Sequence, residues 1–413
     1  MKIGLIPISS DESRRPIEIK FLNEVKNFLE KNGFRGEEYK EGEFYDFYVF
    51  IVVTGGSEKK FLDIYKKTKP PFLFIANRYN NSLPATLEII AYLKGEGKVF
   101  LWDKKSEKKD FLRILNVLSI KEKIFNKKIG LIGNPSYWLI SSTPEFNKVK
   151  ERFGLNIESY PIEELIERYK KEHDDSKVDE ILKELKRKAI ELKNINELDL
   201  KKAIKLYLLV KKIAQENNFD ALSMECFRII NPLDTTGCLA LSLLTSENII
   251  SGCEGDIPAT ITMYIMKKIY EKPPFMANIA SIEREGDKTT DIVLAHCTVP
   301  ISLVNNYLFT THFETGKGVG IKGFFNKDVG TLVRIGGENL DKIFYARAKI
   351  IDNLKEDYMC RTQIKLKVNA KRDYFLENPL GNHHIFVLGD YTEELDILSK
   401  IFNLSFHFPS EKG

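Results

Sequence analysis

Short apolar runs that alternate with helical segments restrict the fold of this chain most strongly. The segments between the runs space their apolar residues as amphipathic helices do, as in residues 21–29. In the first part of the chain the apolar runs have the length and composition of buried strands and occupy residues 2–7, 46–53, 72–76 and 98–102. Strands that alternate with helices are typical of an open parallel sheet. The sequence therefore predicts an α/β domain over residues 1–125.

A second α/β domain is predicted over residues 126–284. The run Lys128–Gly133 has the same apolar and glycine character as the first strand of the chain. Charged helical segments dominate residues 145–153 and 161–216. His173 lies there in a strongly polar stretch and is expected at the surface. A further strand is predicted at 220–227, before the chain reaches Gly252–Ala259.

The pattern changes near residue 285. Short runs rich in β-branched and aromatic residues follow one another, separated by glycines and charged turns, until a helical pattern appears at 392–401. This spacing predicts an antiparallel, β-rich and barrel-like C-terminal domain over residues 285–413, closed by a terminal helix.

Composition excludes several classes of protein. The 413 residues include 63 basic and 59 acidic ones, so the net charge is only +4, and no basic stripe for nucleic acid is present. No apolar run approaches the roughly 20 residues that a membrane span needs. The first residues indicate a strand rather than a signal peptide, so we expect a cytoplasmic protein. Abundant Lys, Glu and Ile favour a thermophilic source.

The spacing of the cysteines shows no pattern typical of disulfides or of a zinc site. Five of them are scattered along the chain without a CxxC pair, at positions 226, 238, 253, 297 and 360. This spacing predicts neither a structural zinc site nor a set of disulfides. Cys253 and Cys297 each neighbour a candidate ligand and are expected to be small packed groups that point away from it, because adjacent strand residues face opposite sides.

The stretch Gly252–Ala259 is the most informative motif. Asp256 is placed as a helix N-cap, and Pro258 falls in the first turn, where its missing N–H costs nothing. The motif therefore presents Glu254 at a strand-to-helix turn, where α/β folds often place their chemistry. Taken alone, it is equally compatible with a capped helix that carries a solvated Glu.

Histidines at the ends of predicted strands supply a possible partner for Glu254. His296 follows the buried run 292–295, His312 precedes a glycine-rich segment, and His383 and His384 begin a strand. Only one of the last two can enter a given site, since neighbours on a strand face opposite sides. A lone histidine is more often structural, but imidazoles together with a carboxylate suit Mn²⁺, Fe²⁺ or Co²⁺.

The motifs resemble those of the L-fucose isomerase and L-arabinose isomerase superfamily. The resemblance extends over essentially the whole chain in domain order and is most specific at 252–256, 294–297 and 381–383. It implies a bound divalent metal, typically Mn²⁺, and a homo-oligomer, a trimer or hexamer, with its sites at subunit interfaces. It also implies a set of metal ligands, namely Glu254, Asn278, His296 and His383.

Asn278 is the position at which the sequence departs from that family. A second acid is expected one helix after Glu254, and Asn278 stands there instead. An amide oxygen still binds a hard cation but cannot take up a proton. Glu254 and Asn278 therefore occupy the two predicted catalytic positions, and Glu283 and Asp256 are candidates to replace the missing acid.

The resemblance implies a metal-dependent aldose–ketose isomerase that acts on a free, fucose-like or arabinose-like sugar. Glu254 would move the proton between C2 and C1 through an enediol. The alternatives are aldol cleavage or epimerisation by a related enzyme, and a sugar-binding protein that has lost catalysis. Side chains at turns of the α/β domains are candidate sugar contacts, with core packing as the alternative for the aromatic pair: Arg14, Asn77, Tyr137, Trp138 and Glu225.

Overall fold

The computed structural model describes residues 1–94, 97–172, 175–270, 272–286 and 288–407. His173 lies outside the described residues. The chain divides into two compact units, an N-terminal unit of residues Met1–Glu122 and a C-terminal unit of residues Lys123–Gly413. The three predicted domains and the two boundaries between them stay predictions.

The N-terminal unit is built on a parallel sheet of five strands, in the order β2-β1-β3-β4-β5. Aromatic side chains fill one side of it, with Phe50 stacked on Phe74 at 5.3 Å between ring centroids. The elements up to residue 124 are β1 Ile3–Ile8, a 3₁₀ helix Glu12–Arg14, α1 Arg15–Lys31, β2 Gly36–Glu38, β3 Phe47–Val52, α2 Glu58–Tyr65, β4 Phe72–Ala76, α3 Ser82–Tyr92, β5 Lys98–Leu101, α4 Lys105–Leu118 and α5 Ile120–Ile124.

The C-terminal unit begins with a second parallel sheet, of four strands in the order β7-β6-β8-β9. The prediction of two parallel-sheet regions is thus confirmed. The elements of this part are β6 Lys128–Ile132, α6 Phe146–Phe153, β7 Asn156–Tyr160, α7 Ile162–Lys171, α8 Asp175–Lys188, α9 Glu197–Glu216, β8 Ala221–Met224, α10 Cys226–Leu233, α11 Cys238–Ser246, β9 Ile250–Cys253 and α12 Ile257–Ile269.

The rest of the unit forms an antiparallel β-barrel, as predicted. Its strands follow the order β14-β17-β10-β11-β16-β15, and the pairing of β15 with β14 closes the ring. A hairpin, β12–β13, stands beside it. The elements are β10 Phe275–Glu285, β11 Thr290–His296, β12 Asn306–Thr310, β13 Gly320–Phe324, β14 Val329–Gly336, β15 Lys342–Asn353, β16 Thr362–Val368, α13 Arg372–Glu377, β17 His383–Leu388, α14 Thr392–Phe402 and β18 Ser405–Phe406.

Helix α12 connects the parallel sheet to the barrel. It packs against β8 and β9 on one side and against β14 and β17 on the other, and residues 257–266 are all buried. The Thr262 hydroxyl accepts a hydrogen bond from the backbone N–H of Ile335 in β14 (3.1 Å). A helix that is apolar all round belongs in a protein core or in a membrane. Among the described residues, no helix combines the length and the apolar character needed to cross a membrane.

Close packing inside the barrel predicts that Gly330→Ala is destabilising. A Cβ at Gly330 would lie 2.2 Å from the Phe386 ring. Overpacking of this kind costs about 1–3 kcal/mol in the free energy of unfolding. Urea unfolding checks this, with Lys349→Ala on the exposed side of β15 as the control that should change stability by less than about 0.5 kcal/mol. Equal stability of the two variants would contradict the packing argument.

Candidate active site

The turn between β9 and α12 has an unusual backbone. Glu254 and Gly255 both adopt left-handed φ angles, 62° and 71°. That conformation is costly for a Glu, and such strain is retained only where the surroundings enforce it, often at functional sites. Gly255 is required by space as well, since a Cβ there would lie 2.6 Å from the carbonyl oxygen of Asn134 and from Pro135 Cα.

Asp256 caps helix α12, as predicted. Its Oδ1 accepts a hydrogen bond from the backbone N–H of Ala259 (2.8 Å), and Pro258 lies in the first turn. Both Asp256 oxygens also face the guanidinium of Arg334 in β14, at 3.2 Å each. Burial raises the pKa of Asp256, but the charge of Arg334 and a hydrogen bond from His383 outweigh it and bring the pKa to about 2. Asp256 is therefore ionised inside the core.

His383 is held by that carboxylate. Its Nδ1 lies 3.0 Å from Asp256 Oδ2, and since an ionised carboxylate only accepts hydrogen bonds, Nδ1–H is the donor. In the neutral ring, Nε2 is then the nitrogen that offers a lone pair. Nε2 is buried, has no hydrogen-bond partner among the described residues and lies 3.7 Å from Glu254 Oε1. A carboxylate that orients a histidine in this way is a frequent support for a metal ligand.

His384 faces away from Glu254. Its Nε2 lies 2.7 Å from the Tyr374 hydroxyl, and its ring packs edge-on against Phe344. Burial, followed by the charge of Arg334, lowers the pKa of His384 to about 3. Strand register thus settles what the sequence left open, because His383 and not His384 points towards Glu254.

His296 stands at the end of β11 and close to His383. The two imidazole centroids are 5.4 Å apart, and His296 Nδ1 lies 2.8 Å from the Thr298 hydroxyl. Burial and the neighbouring His383 and His312 hold the pKa of His296 well below its usual value, so the ring is neutral. In the tautomer whose Nδ1–H donates to the Thr298 hydroxyl, the neutral ring offers Nε2 to a cation.

Glu254, His296 and Asn278 line one cavity of about 20 Å³, which is room for about one water-sized occupant. Asn278 lies opposite His383 on β17 and opposite Ala295 on β11, so it sits between the two histidine-bearing strands. Its Oδ1 accepts a hydrogen bond from Asn382 Nδ2 (3.1 Å). The structure therefore brings together all four residues that the resemblance implies as metal ligands.

The donor atoms fit a divalent cation. Cys253, Glu254 and His296 each offer one ligand atom, and these atoms lie within 4.8 Å of one another. The unpartnered Nε2 of His383 adds a further lone pair on the same side of Glu254. Carboxylate, amide and imidazole donors are those that Mn²⁺ and related cations take.

Cys253 and Cys297 do not point away from the candidate ligands as expected. Both line the same cavity as Glu254 and His296. For Cys253 the reason is the left-handed backbone of Glu254, which breaks the strand alternation on which the expectation rested. Alternation of side chains holds only within a strand, and β9 ends at Cys253, so the direction of the Glu254 side chain does not follow from that of Cys253.

Trp138 joins the site through its indole. Its Nε1–H donates to Glu254 Oε2 (2.6 Å), and the loop that carries it is tied by the Ser136 N–H to the Glu254 carbonyl (2.8 Å). The Trp138 ring packs edge-on against Phe227 and Tyr137, with ring centroids 5.0 Å and 4.9 Å away. Tyr137 itself is 89% exposed. The pair thus forms an aromatic wall beside the carboxylate rather than part of the core.

The remaining predicted sugar contacts are not among the residues that line the cavity. Glu225 accepts a hydrogen bond from the Asn134 N–H (2.9 Å), so it fixes the loop that carries Trp138. Arg14 and Asn77 belong to the N-terminal unit. Arg14 lines a wide cleft there, whereas Asn77 Oδ1 is occupied by the Tyr79 N–H (2.7 Å) within a turn. Their predicted contact with sugar stays a prediction.

Glu314 is the acid that sequence reasoning missed. Of the two proposed replacements for the missing acid, Glu283 is exposed and bonded to Ser281, and Asp256 neutralises Arg334. Glu314 is also exposed over part of its surface, but it lines the cavity with Glu254, and partial burial together with the charge of Glu254 raises its pKa. The sequence signal was its place two residues after His312, but no spacing rule connects that segment to the β9 turn.

No family model matches the chain. It is 23% identical over 313 residues to proteins named sulfoquinovose isomerase from Priestia aryabhattai and Priestia megaterium, which covers 73% of this chain and 69% of theirs. A sulfoquinovose isomerase from Alkalicoccus urumqiensis is 21% identical over 304 residues, or 70% and 67% of the two chains. This similarity confirms the predicted class of enzyme, an isomerase. The fucose and arabinose branch stays a prediction.

The buried ion pair predicts a large effect of Asp256→Asn. The variant leaves Arg334 buried without its counter-charge, which costs about 3–5 kcal/mol in the free energy of unfolding. Asp396→Asn is the matched control, since it breaks an exposed pair with Lys400 worth at most about 1 kcal/mol. Denaturant unfolding of both variants checks this. A cost for Asp256→Asn no larger than that of the control would contradict it.

Proposed function

We propose that this protein is a metal-dependent aldose–ketose isomerase that acts on a free sugar. The observation that carries the proposal is the buried, unpartnered Nε2 of His383 beside the Glu254 carboxylate, with His296 on the same side. Glu254, Asn278, His296 and His383 would hold the cation, with Mn²⁺ preferred and Co²⁺ or Fe²⁺ as alternatives. When bound, the cation would polarise the oxygens at C1 and C2 of the sugar.

Glu254 is the proposed proton carrier. Its carboxylate takes the proton from C2 and returns it to C1, by way of an enediol. The Trp138 indole N–H holds one carboxylate oxygen and so fixes the orientation of the group. A positioned base of this kind contributes about 10²–10⁴-fold to the rate.

Glu314 is the proposed second acid, in the role that Asn278 cannot fill. The isomerisation also moves a proton between the two sugar oxygens, and this needs a group that can give and take one. Glu314 lines the cavity, and partial burial together with the charge of Glu254 raises its pKa, so its carboxyl group holds a proton more readily than an ordinary Glu does. Two carboxyl groups whose environments separate their pKa values are a recurrent basis for acid and base roles.

The charge of the residues that line this cavity favours an uncharged sugar over a sulfonated one as the molecule bound beside it. The lining residues that the structure describes include the carboxylates of Glu254 and Glu314 but neither a Lys nor an Arg. The aromatic wall of Tyr137 and Trp138 offers faces on which the C–H side of a sugar ring can pack. We therefore place a fucose-like or arabinose-like sugar ahead of sulfoquinovose.

Assembly and location complete the proposal. The resemblance supports a homo-oligomer, a trimer or hexamer with its sites at subunit interfaces. The low net charge supports a small-molecule substrate rather than nucleic acid. A cytoplasmic location and a thermophilic source rest on composition alone and remain predictions.

The proposal predicts that activity depends on a divalent metal and on Glu254. Chelator-treated protein should lose isomerisation of a pentose, deoxyhexose and sulfoquinovose panel and regain it with Mn²⁺. Glu254→Gln should lower kcat by about 10²–10⁴-fold because the amide cannot carry the proton. Glu283→Gln, which changes an exposed acid, is the control and should keep wild-type activity. Full activity of Glu254→Gln would refute the proposal, as would products of aldol cleavage or epimerisation in place of the ketose.

A separate prediction concerns Glu314. Glu314→Gln should lower kcat by about 10²-fold or more, while Mn²⁺ binding measured by electron paramagnetic resonance stays unchanged. In D₂O the variant should still exchange the C2 proton faster than it forms product, since Glu254 is intact. An unchanged kcat would remove Glu314 from the mechanism and leave the role of Glu254 untouched.

A further inference from the structure

All five cysteines of the chain line the candidate active-site cavity. They are Cys226, Cys238, Cys253, Cys297 and Cys360. In the sequence they are scattered over more than a hundred residues, and they come from the second parallel sheet, its helices and the loops of the barrel. Four of them are buried, and all are free thiols. Their convergence at one place is a property of the fold that their spacing does not reveal.

Cys253 stands next to the candidate metal ligands, and Cys226 stands next to Cys253. The Sγ atoms of Cys226 and Cys253 are 3.0 Å apart. Cys253 Sγ also lies within 4.8 Å of the ligand atoms of Glu254 and His296. Cys253 thus connects a second thiol, that of Cys226, to a cluster of one sulfur, one imidazole nitrogen and one carboxylate oxygen.

We propose that Cys226, Cys253, His296 and Glu254 form a second ligand set, for a thiophilic divalent cation such as Zn²⁺ or Cd²⁺. Sulfur and imidazole donors in a set of four suit tetrahedral coordination of these cations. Zn–S bonds of about 2.3 Å require the two sulfurs to separate slightly from their present contact. Each cysteine that binds releases its proton to solvent, so binding of one cation to both thiols yields two protons.

This set competes with the one proposed for Mn²⁺. Both use Glu254 and His296, while the remaining ligands differ, being the two thiols in one case and His383 with Asn278 in the other. A cation on the thiols would therefore withdraw Glu254 from its role as proton carrier. The inhibition rests on the proposed function, whereas the binding of the cation does not.

The binding test uses the full-length, reduced and metal-free chain with Cd²⁺ alone. We expect one Cd²⁺ per chain and the ultraviolet charge-transfer band of a thiolate–cadmium bond. Cys253→Ser and Cys226→Ser should each weaken Cd²⁺ binding by more than about tenfold. Cys238→Ser is the matched control, because Cys238 is another buried cysteine that lines the same cavity. This variant should keep the wild-type Cd²⁺ affinity and charge-transfer band.

Alkylation of the wild-type protein with and without Cd²⁺, mapped by mass spectrometry, keeps the test valid if a variant fails to fold. Protection should appear at Cys226 and Cys253. Protection only at Cys297 and Cys360, or a full charge-transfer band in Cys253→Ser, would overturn the proposal.

His383→Ala separates this site from the proposed function. It should lose Mn²⁺ binding and keep the cadmium band, because His383 belongs only to the Mn²⁺ set. Wild-type protein that binds Mn²⁺ but gives no cadmium band would refute the thiol site alone. Wild-type protein that gives the cadmium band but neither binds Mn²⁺ nor isomerises sugars would refute the proposed function and leave the thiol site standing.

Discussion

The buried ion pair between Arg334 and Asp256 is the contact on which the arrangement of the site depends. It joins a barrel strand to the helix that follows the parallel sheet, and it orients His383 through the second oxygen of the same carboxylate. Burying two charges is costly unless their remaining hydrogen-bonding groups are also satisfied. Here Arg334 also donates to the Ser142 hydroxyl, and Asp256 also accepts from the Ala259 N–H. Gly381 belongs to the same arrangement, because a Cβ there would lie 2.9 Å from the Arg334 guanidinium.

The left-handed turn at Glu254 is the second constraint, and it depends on the first. Asp256 anchors the helix on one side of the turn, while the Ser136 N–H and the Trp138 indole hold Glu254 itself. Strain at one residue persists when its neighbours are fixed independently in this way. The consequence is chemical, since the turn directs both Cys253 and Glu254 into one cavity and so gives a single site both hard and soft donor atoms.

The architecture was accessible from the sequence because it depends on local patterns. Apolar runs that alternate with helices predicted the parallel sheets, and short β-rich runs predicted the barrel. Glu254, His296 and His383 were identifiable because each stands at the start or end of an element. The choice between His383 and His384 required the strand register, and Glu314 and the five cysteines required the tertiary fold, because their neighbours are distant in sequence. The expectation for Cys253 was wrong because a single left-handed residue ended the alternation.

The hydrogen bond from Trp138 to Glu254 also makes tryptophan fluorescence a reporter of the site. The chain has only two tryptophans, and the other, Trp102, is buried in the N-terminal unit, where its indole N–H donates to Glu24 (2.8 Å). An indole bonded to a carboxylate changes its fluorescence when that carboxylate gains a proton, a cation or a neighbouring ligand. With Trp102 replaced by Phe, the tryptophan emission of the chain would come from Trp138 alone. The protein thus carries an intrinsic optical reporter one hydrogen bond away from its proposed proton carrier.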